Sequence, residues 1–321
     1  MTSPEIAVPS PVKFPSLEVV GREPGARVDV SVVLPVHDEA GHVEDEIARI
    51  RRALDASDYT FELIVVDDGS RDGTKEILRG IEGIRLIDLA TNRGCGHARR
   101  LGTRAARGDV VVWTDADMTY PNDRIAELVE HLDQNGCEQV VGARTTEEGT
   151  NAWIRRPTKW FIRKLASYLM STPIPDLNSG FRAMRRETAL PYLYMLPSGF
   201  SCVTTITMAF LLNGHEVKYV PVEYAPRAGE SKFRLVRDTY LYLLQVIRMI
   251  MTFNPLRVFL PLGGSLLLVA VGKTVFDVFQ KDFRVTTNAI VLLIVSLQVV
   301  ALGLLADLIC RLAGPRRGGM E

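Results

Sequence analysis

The chain has 321 residues, which allows one large domain or two smaller ones. Its 38 Lys and Arg residues balance its 38 Asp and Glu residues, so the charge gives no indication of nucleic-acid binding and we expect no nucleic-acid partner. The four cysteines lack the spacing of a metal site or of a disulfide framework, which predicts reduced thiols.

The N-terminal segment holds five prolines within residues 1–27 and has no basic-then-apolar signal sequence. We therefore expect residues 1–28 to form a flexible tail. From residue 29 onward, short β-branched apolar runs alternate with stretches in which apolar residues recur at helical spacing. This alternation indicates a folded domain that begins near residue 29.

Five apolar runs are typical of buried strands, at 30–36, 61–66, 84–89, 110–113 and 139–143. Helices are predicted between them, over 43–54, after the turn at 71–74, up to residue 106 and over 122–134. Strands and helices that alternate with short loops predict an α/β domain over residues 29–230, with a mostly parallel, Rossmann-like sheet. Polar loops after several strands would meet at one sheet edge, where such folds bind ligands.

Two carboxylates follow the fourth predicted strand, in the stretch Asp115-Ala-Asp117. Residues i and i+2 of an extended chain point to the same side, so both carboxylates can face one cavity. A hard divalent cation such as Mg²⁺ or Mn²⁺ would relieve their repulsion, because it binds a few carboxylates and completes its shell with substrate phosphates. A lone Asp-x-Asp is equally typical of a polar turn that ends a strand.

Two long apolar segments, 258–279 and 287–309, lie near the C-terminus, within residues 257–312. Each is long enough to cross a bilayer core of about 30 Å, and the short connector permits only a tight hairpin. A buried helical hairpin of a soluble protein is the alternative. Arginines before the first segment and after the second predict a cytoplasmic catalytic domain and a cytoplasmic C-terminal tail, residues 313–321, of an integral membrane protein.

A basic, amphipathic stretch precedes the hairpin, over residues 231–256. Its apolar residues cluster at helical spacing with arginines between them, which predicts a juxtamembrane helix at the surface of the lipid bilayer. A core helix of the soluble domain is the alternative interpretation.

Six motifs occur in order along the chain: Leu34-Pro-Val-His-Asp-Glu39, Val66-Asp-Asp-Gly-Ser70, Asn92-Arg-Gly94, Asp115-Ala-Asp117, Asp176-Leu-Asn-Ser-Gly-Phe-Arg182 and Arg227-Ala-Gly-Glu-Ser-Lys232. With these motifs the chain resembles the family 2 glycosyltransferases of the GT-A fold. With the basic stretch and the hairpin, it resembles the polyprenyl-phosphate (dolichyl-phosphate) mannosyl- and glucosyltransferases. The resemblance covers roughly residues 29–312.

The resemblance assigns the nucleotide of the donor to loops after the first three strands. The residues implied are Pro35, His37, Glu39, Asp67, Asp68, Asp88 and Arg93. Carboxylates suit this task, because they accept hydrogen bonds from ribose hydroxyls and base N–H groups. His37 departs from the aromatic residue common in the family, and Asp88 is equally compatible with an exposed position.

The resemblance also implies that Asp115 and Asp117 are catalytic residues that bind Mg²⁺ or Mn²⁺ on the donor diphosphate. The family's glutamine two residues later is replaced by Thr119, which we predict as a further metal ligand, directly or through water. This difference leaves the identity of the donor open.

The remaining implied residues lie in the second half of the domain. Arg182 is predicted to be catalytic and Asn178 to contact the sugar, whereas Asp176 is predicted to contact the sugar or to position the acceptor. The phosphate of the acceptor is assigned to Arg144, Arg163, Ser167, Arg227 and Lys232. Arginine grips phosphate bidentately, which suits this assignment, whereas a solvated basic face is the alternative.

The function implied is inverting transfer of one hexose, mannose or glucose, from a GDP- or UDP-sugar to polyprenyl phosphate. Such an acceptor is already ionised and needs no general base. Transfer to a hydroxyl acceptor and a catalytically silent scaffold subunit are the alternatives. A processive synthase is disfavoured, because the Gln-x-x-Arg-Trp signature is missing and two spans make a poor channel. The spans leave packing surface for a homo-oligomer.

Overall fold

The computed structural model of the chain describes residues 27–145, 167, 173–225, 244, 247, 248, 251, 255–280 and 286–313. The predicted N-terminal tail, most of the predicted juxtamembrane helix and the C-terminal tail lie outside the described residues. The same holds for three predicted acceptor residues, Arg163, Arg227 and Lys232. The described residues do not test these predictions.

Seven strands form one mixed sheet in the described part of the chain. They are β1 (Val30–Val36), β2 (Phe61–Asp67), β3 (Arg85–Asp88), β4 (Val110–Trp113), β5 (Gln139–Arg144), β6 (Arg182–Arg185) and β7 (Val217–Val222). Their order is β3-β2-β1-β4-β6-β5-β7, and β6 alone runs antiparallel to its two neighbours, β4 and β5. The predicted α/β fold with a mostly parallel sheet is therefore confirmed.

The helices lie between the strands and at the C-terminus. They are α1 (Val43–Asp55), α2 (Thr74–Gly80), α3 (Cys95–Ala105), α4 (Ile125–Gln134), α5 (Arg186–Ala189), α6 (Cys202–Leu212), α7 (Leu256–Gln280) and α8 (Thr287–Ala313). Short 3₁₀ helices cover Asn122–Arg124 and Leu190–Met195. Apolar clusters cover both faces of the sheet, as a parallel sheet requires.

Most predicted element bounds agree with the structure to within one or two residues. The helix predicted over 122–134 begins instead with a 3₁₀ turn, and α4 proper starts at Ile125. Strands β6 and β7 were not predicted. Because β6 inserts between β4 and β5, the fifth predicted strand does not pair with the fourth.

The two C-terminal helices contain both predicted apolar segments, and each is long and apolar enough to cross a membrane. They pack closely against each other. A Cβ atom added to Gly263 would lie 2.6 Å from a Val300 methyl group, and one added to Gly303 would lie 2.4 Å from the Phe259 side chain. Lys273 Nζ lies 3.0 Å from Asp277 Oδ1 within α7.

Gly102 allows α3 to pack directly on the sheet. A Cβ atom added there would lie 2.4 Å from Val33 Cγ1 of β1. Helix α3 carries residues of the candidate site described below, so this close approach sets their distance from the strand ends.

We predict that Gly102→Ala destabilises the protein, whereas Gly80→Ala does not. Both changes gain helix propensity, on the order of 1 kcal/mol. At Gly80, in α2, an added Cβ meets nothing within 4 Å, whereas at Gly102 it overpacks the core at a cost of about 1–3 kcal/mol. Thermal unfolding of the full chain in detergent measures both. A midpoint for Gly102→Ala at or above that of Gly80→Ala would contradict the packing described here.

Candidate active site

The loops after β1 and β2 lie side by side at the carboxyl edge of the sheet. Val36 and Asp67 are partners in the parallel register, and Asp68 N donates to Val36 O at 2.8 Å. Asp38 takes a left-handed conformation with φ 53°, and its N–H donates to Ser70 Oγ at 3.0 Å. The two predicted nucleotide-binding loops are therefore joined into one unit.

The two adjacent carboxylates after β2 have different tasks. Asp67 is fully buried; its Oδ1 accepts from Ser70, while its Oδ2 has no hydrogen-bond partner among the described residues. Asp68 accepts from Arg93 N and Gly94 N, each at 2.7 Å. Asp68 therefore holds the loop after β3 in place. Asp67 retains one carboxylate oxygen, Oδ2, that can accept a hydrogen bond from a ligand.

The other predicted donor residues have mixed placements. Pro35, within β1, and His37 and Glu39, in the loop after it, are half-buried. Glu39 N donates to Thr74 Oγ1 at 2.9 Å. Arg93 has an exposed side chain. Asp88 forms ion pairs with two basic residues of α2, since its oxygens lie 2.8 Å from Lys75 Nζ and 3.1 Å from Arg79 Nη2.

The predicted metal loop follows β4 directly and is tightly folded. Met118 takes a left-handed conformation with φ 60°. This turn brings Thr119 back to Asp117, so that Thr119 Oγ1 donates to Asp117 Oδ1 at 2.6 Å. Asp117 and Thr119 are buried, whereas the Asp115 side chain is 34% exposed. The structure thus brings the three predicted metal residues into one loop.

A buried arginine, Arg99 of α3, holds Asp115. Its Nη2 donates to Asp115 Oδ1, and its guanidinium lies 5.5 Å from the Trp113 ring centre. Burial opposes the charge of Arg99 more than any other single effect, but the Asp115 carboxylate, together with Cys202 and Cys95, outweighs it and keeps the pKa of Arg99 above its ordinary value. Asp115 is therefore held in place by a fixed positive charge. Sequence reasoning missed Arg99.

Arg182, predicted to be catalytic, is fully buried under α6. Its Nη1 donates to Val203 O and to Thr207 Oγ1, each at 2.7 Å, and its Nη2 donates to Ser179 O. Burial, and to a smaller extent repulsion from Arg99, lowers the pKa of Arg182 to about 10. The guanidinium is therefore hydrogen-bonded to interior protein groups, and it is not exposed at the carboxyl edge of the sheet, where the candidate site lies.

Arg144 and Asp176, predicted for the acceptor and the sugar, pair with each other. Arg144 Nε and Nη2 lie 2.7 and 2.9 Å from the two Asp176 carboxylate oxygens. Burial opposes the ionisation of Asp176 more than any other single effect, but the hydrogen bonds and charge of Arg144 and the backbone N–H of Asn178 together hold its pKa below the ordinary value. The pair is thus ionised and already matched before any ligand binds.

The remaining predicted residues near this pair also have protein contacts. Ser167 Oγ accepts from Ile174 N at 3.2 Å, and Asn178 Oδ1 accepts from Thr204 Oγ1 at 3.1 Å. Neither contact brings these residues together with the metal loop.

Tyr120 connects the metal loop to the second half of the domain and was missed by sequence reasoning. Its hydroxyl accepts from Gly180 N at 2.7 Å, and its ring stacks on Phe181 and meets Tyr224 edge-on. A Cβ atom added to Gly180 would lie 2.7 Å from Asp115 Oδ2, so only glycine permits this approach. The Ser-Gly-Phe segment before β6 therefore closes against Asp115.

The donor set suits a hard divalent cation. No group of three or more His, Cys, Asp and Glu side chains that could hold a metal ion occurs among the described residues, and Asp115 and Asp117 supply two carboxylates. Mg²⁺ and Mn²⁺ accept such a set, because one or two carboxylates hold the ion while phosphates and water complete its shell. Zinc, which prefers four nitrogen or sulfur ligands in closed sites, does not fit.

Comparisons with solved structures agree with this fold. The glucosyl-3-phosphoglycerate synthase of Mycobacterium tuberculosis, solved with Mn²⁺, UDP and glucosyl-3-phosphoglycerate, aligns with a TM-score of 0.55 at 21% identity, over 73% of this chain and 88% of that one. The same protein with UDP aligns with a TM-score of 0.55 at 20% identity, again over 73% and 88%. The fold is therefore that of a GT-A glycosyltransferase.

Sequence comparisons identify the family. The model "Glycosyl transferase family 2" matches residues 31–190, and "GtrB C-terminal hairpin" matches residues 254–312. Undecaprenyl-phosphate 4-deoxy-4-formamido-L-arabinose transferases of Aeromonas hydrophila and Pseudomonas aeruginosa are each 29% identical, covering 88% of this chain and 89% and 85% of their own lengths. The chain belongs to the family 2 glycosyltransferases, and it carries a C-terminal membrane hairpin.

We predict that Arg99→Met destabilises the protein by about 2–3 kcal/mol, because it leaves Asp115 without its buried cation. The partial exposure of Asp115 keeps the loss below that of a fully buried pair. Arg27→Met is the matched control: it removes an exposed ion pair with Asp109, which is worth at most about 1 kcal/mol. Equal unfolding midpoints for the two variants would refute the structural importance of the Arg99–Asp115 pair.

Proposed function

We propose that this protein transfers one sugar from a nucleoside diphosphate sugar to polyprenyl phosphate at a membrane surface. One observation carries the proposal: the same chain has two carboxylates, Asp115 and Asp117, at the carboxyl edge of the sheet and a membrane hairpin near its C-terminus. Relatives that cover nearly the whole chain are named as undecaprenyl-phosphate sugar transferases, which supports this acceptor class.

The nucleotide lies over the joined loops after β1 and β2. Asp67 Oδ2 accepts a hydrogen bond from the base or the ribose, since it is buried and has no partner among the described residues. Asp68 shapes the third loop through Arg93 and Gly94. Pro35, His37 and Glu39 line the same edge, and Asp88 lies further out in its surface ion pairs.

Asp115 and Asp117 hold Mg²⁺ or Mn²⁺, and Thr119 orients Asp117 through its hydroxyl. When bound, the cation neutralises charge that develops on the departing nucleoside diphosphate. Arg99 holds Asp115 in place, so this carboxylate needs no reorganisation when the donor binds. A Thr119 contact with the metal itself stays a prediction.

The acceptor supplies an ionised phosphate oxygen, which attacks the anomeric carbon as the carbon–diphosphate bond breaks and inverts the configuration there. No proton has to be removed, so the mechanism requires no general base. Arg163, Arg227 and Lys232 neutralise and position the acceptor phosphate in this proposal. Arg144 contributes through its pair with Asp176, which orders the sheet end next to Tyr224.

The identity of the sugar is the finest point of the proposal. The family resemblance implies a hexose, mannose or glucose, whereas the relatives are named for 4-deoxy-4-formamido-L-arabinose. UDP is the first nucleotide to test, because it occurs in solved structures that share this fold, and GDP is the second. A donor panel with UDP-glucose, GDP-mannose and the UDP-linked formamido-pentose separates these cases.

The hairpin anchors the active site on the cytoplasmic side of the membrane. Arg248 and Arg257 precede the first predicted span, 258–279, and Arg311, Arg316 and Arg317 follow the second. We expect the basic stretch before the hairpin, most of which is outside the described residues, to bind at the level of the lipid headgroups, where the acceptor phosphate resides. A homo-oligomer formed through the two spans is part of this proposal.

We predict that Asp117→Ala abolishes transfer. The test incubates full-length protein in detergent with Mn²⁺ or Mg²⁺, short-chain polyprenyl phosphate and the radiolabelled donor panel, and counts label extracted into organic solvent. Wild-type label should disappear with EDTA. Asp109→Ala is the matched control, because Asp109 is exposed at the opposite edge of the sheet and should keep wild-type activity.

Label that persists in Asp117→Ala would remove the metal assignment. Sugar released into water without lipid label would move the acceptor to a hydroxyl compound. Silence with every donor, from protein whose unfolding transition is intact, would favour a binding subunit.

We predict that Arg163→Ala raises the KM for polyprenyl phosphate and leaves the KM for the nucleotide sugar unchanged, because a lost phosphate contact costs on the order of 1.5–3 kcal/mol. Arg107→Ala, which removes a half-exposed arginine near Glu62, serves as the control. An unchanged acceptor KM for Arg163→Ala would return this residue to the solvated basic face.

A further inference from the structure

A buried carboxylic acid, Glu46, lies in the first turn of α1. Its side chain is fully buried, and its neighbours on the same helix face are Val43, Ile47 and Ile50. Glutamate is almost never fully buried unless it has a partner, so its presence in this apolar cluster requires a specific reason. The proposed reaction does not use it.

Glu46 belongs to a chain of buried polar groups that reaches the metal loop. Its Oε1 accepts from Asn122 Nδ2, and Asn122 Oδ1 accepts from Thr114 Oγ1 at 2.5 Å. All three residues are fully buried. Thr114 immediately precedes Asp115, and Asn122 follows Pro121. The chain of contacts therefore ties together the two ends of the segment 115–121.

A second residue of α1 holds the same segment. Arg49, one turn after Glu46, donates from Nη1 to Tyr120 O at 3.2 Å and pairs through Nη2 with Asp123. Helix α1 also begins at the nucleotide loop, since His42 N and Val43 N each donate to Glu39 O at 3.0 Å. One rigid helix thus connects the loop proposed for the nucleotide with the loop proposed for the metal.

We propose that Glu46 is a positioning residue that fixes the segment 115–121, so that the Asp115 and Asp117 carboxylates converge on one cation. It acts through Asn122 and Thr114 and does not itself contact the metal. The inference rests on the proposed function only in requiring a divalent cation at Asp115 and Asp117. Residues of this kind do not contact the metal, but they influence its affinity because their hydrogen bonds orient the ligands.

The geometry distinguishes this role from one in stability alone. Glu46 Oε2 has no hydrogen-bond partner among the described residues, which is a cost that an apolar residue of similar volume would avoid. A side chain selected only to fill this position would be leucine or methionine. What glutamate adds is the acceptor for Asn122, together with an ion pair at 4.0 Å to Nη1 of Arg49, which itself donates to Tyr120 O; both contacts support the conformation of the loop.

The test measures Mn²⁺ binding directly. Full-length protein in detergent micelles, saturated with UDP and in parallel with GDP, is titrated with Mn²⁺, and free Mn²⁺ is read from its electron paramagnetic resonance signal. We expect Glu46→Leu to weaken Mn²⁺ binding about 10-fold or more, in the range seen when such indirect partners are removed. Glu46→Gln keeps an acceptor oxygen for Asn122 and should bind Mn²⁺ like the wild type.

Leu54→Ala is the matched control for a general loosening of α1. Leu54 is fully buried on the same helix but lies eight residues from Glu46, about 12 Å along the helix axis. This variant should lower the thermal unfolding midpoint and leave Mn²⁺ affinity unchanged. Thr114→Val, which removes the hydroxyl at nearly constant shape, should weaken Mn²⁺ binding in the same direction as Glu46→Leu and covers the case in which Glu46→Leu does not fold.

Three results would overturn the proposal. Wild-type Mn²⁺ affinity in folded Glu46→Leu, or in Thr114→Val, removes the link from this network to the metal loop. Equal weakening in Leu54→Ala reduces the effect to helix stability. Failure of the wild type to bind Mn²⁺ with either nucleotide, or equal binding by Asp117→Ala, removes the metal site itself and is distinguishable from the other two results.

Discussion

The structure depends on the end of strand β4, where a fully buried apolar strand passes directly into two acidic residues. Asp115 and Asp117 repel each other, and the protein offsets that repulsion locally. Arg99 pairs with Asp115 from α3, and Thr119 donates to Asp117 from within the loop. The Gly102 contact with β1 sets how close α3 can come, so the packing of a helix on the sheet determines the electrostatics of the site.

The carboxylates along the carboxyl edge have separate tasks. Some position loops and are fully used by the protein, such as Asp68 with Arg93 N and Gly94 N. Others retain an acceptor atom, such as Asp67 through Oδ2. The distinction matters because loss of a positioning carboxylate moves backbone, whereas loss of a ligand-facing one removes a single contact. The proposed function and the proposed role of Glu46 extend this distinction to the loop after β4, with Asp117 facing the ligand and Glu46 positioning the loop.

Much of this arrangement could be predicted from the sequence, because apolar periodicity fixes the first five strands and the acidic pairs are adjacent in the chain. Strand β6 could not, since Arg182-Ala-Met-Arg185 is short, carries charge at both ends and runs antiparallel. Arg99 meets Asp115 from a different element 16 residues away, which no local pattern reveals. The burial of Arg182 under α6 likewise depends on tertiary packing, although its motif placed it next to the site.

The chain combines a glycosyltransferase fold with a C-terminal hairpin of two apolar helices, and the polyprenyl-phosphate acceptor is the central claim of the proposed function. The most direct measurement offers full-length protein the same labelled nucleotide sugar with polyprenyl phosphate and, separately, with the unphosphorylated polyprenol of equal chain length. Mass spectrometry of the lipid extract then identifies the product. The account predicts a polyprenyl-phosphate sugar from the first acceptor and no product from the second. A glycosylated polyprenol, or equal products from both, would contradict it, because an ionised phosphate would then not be the nucleophile.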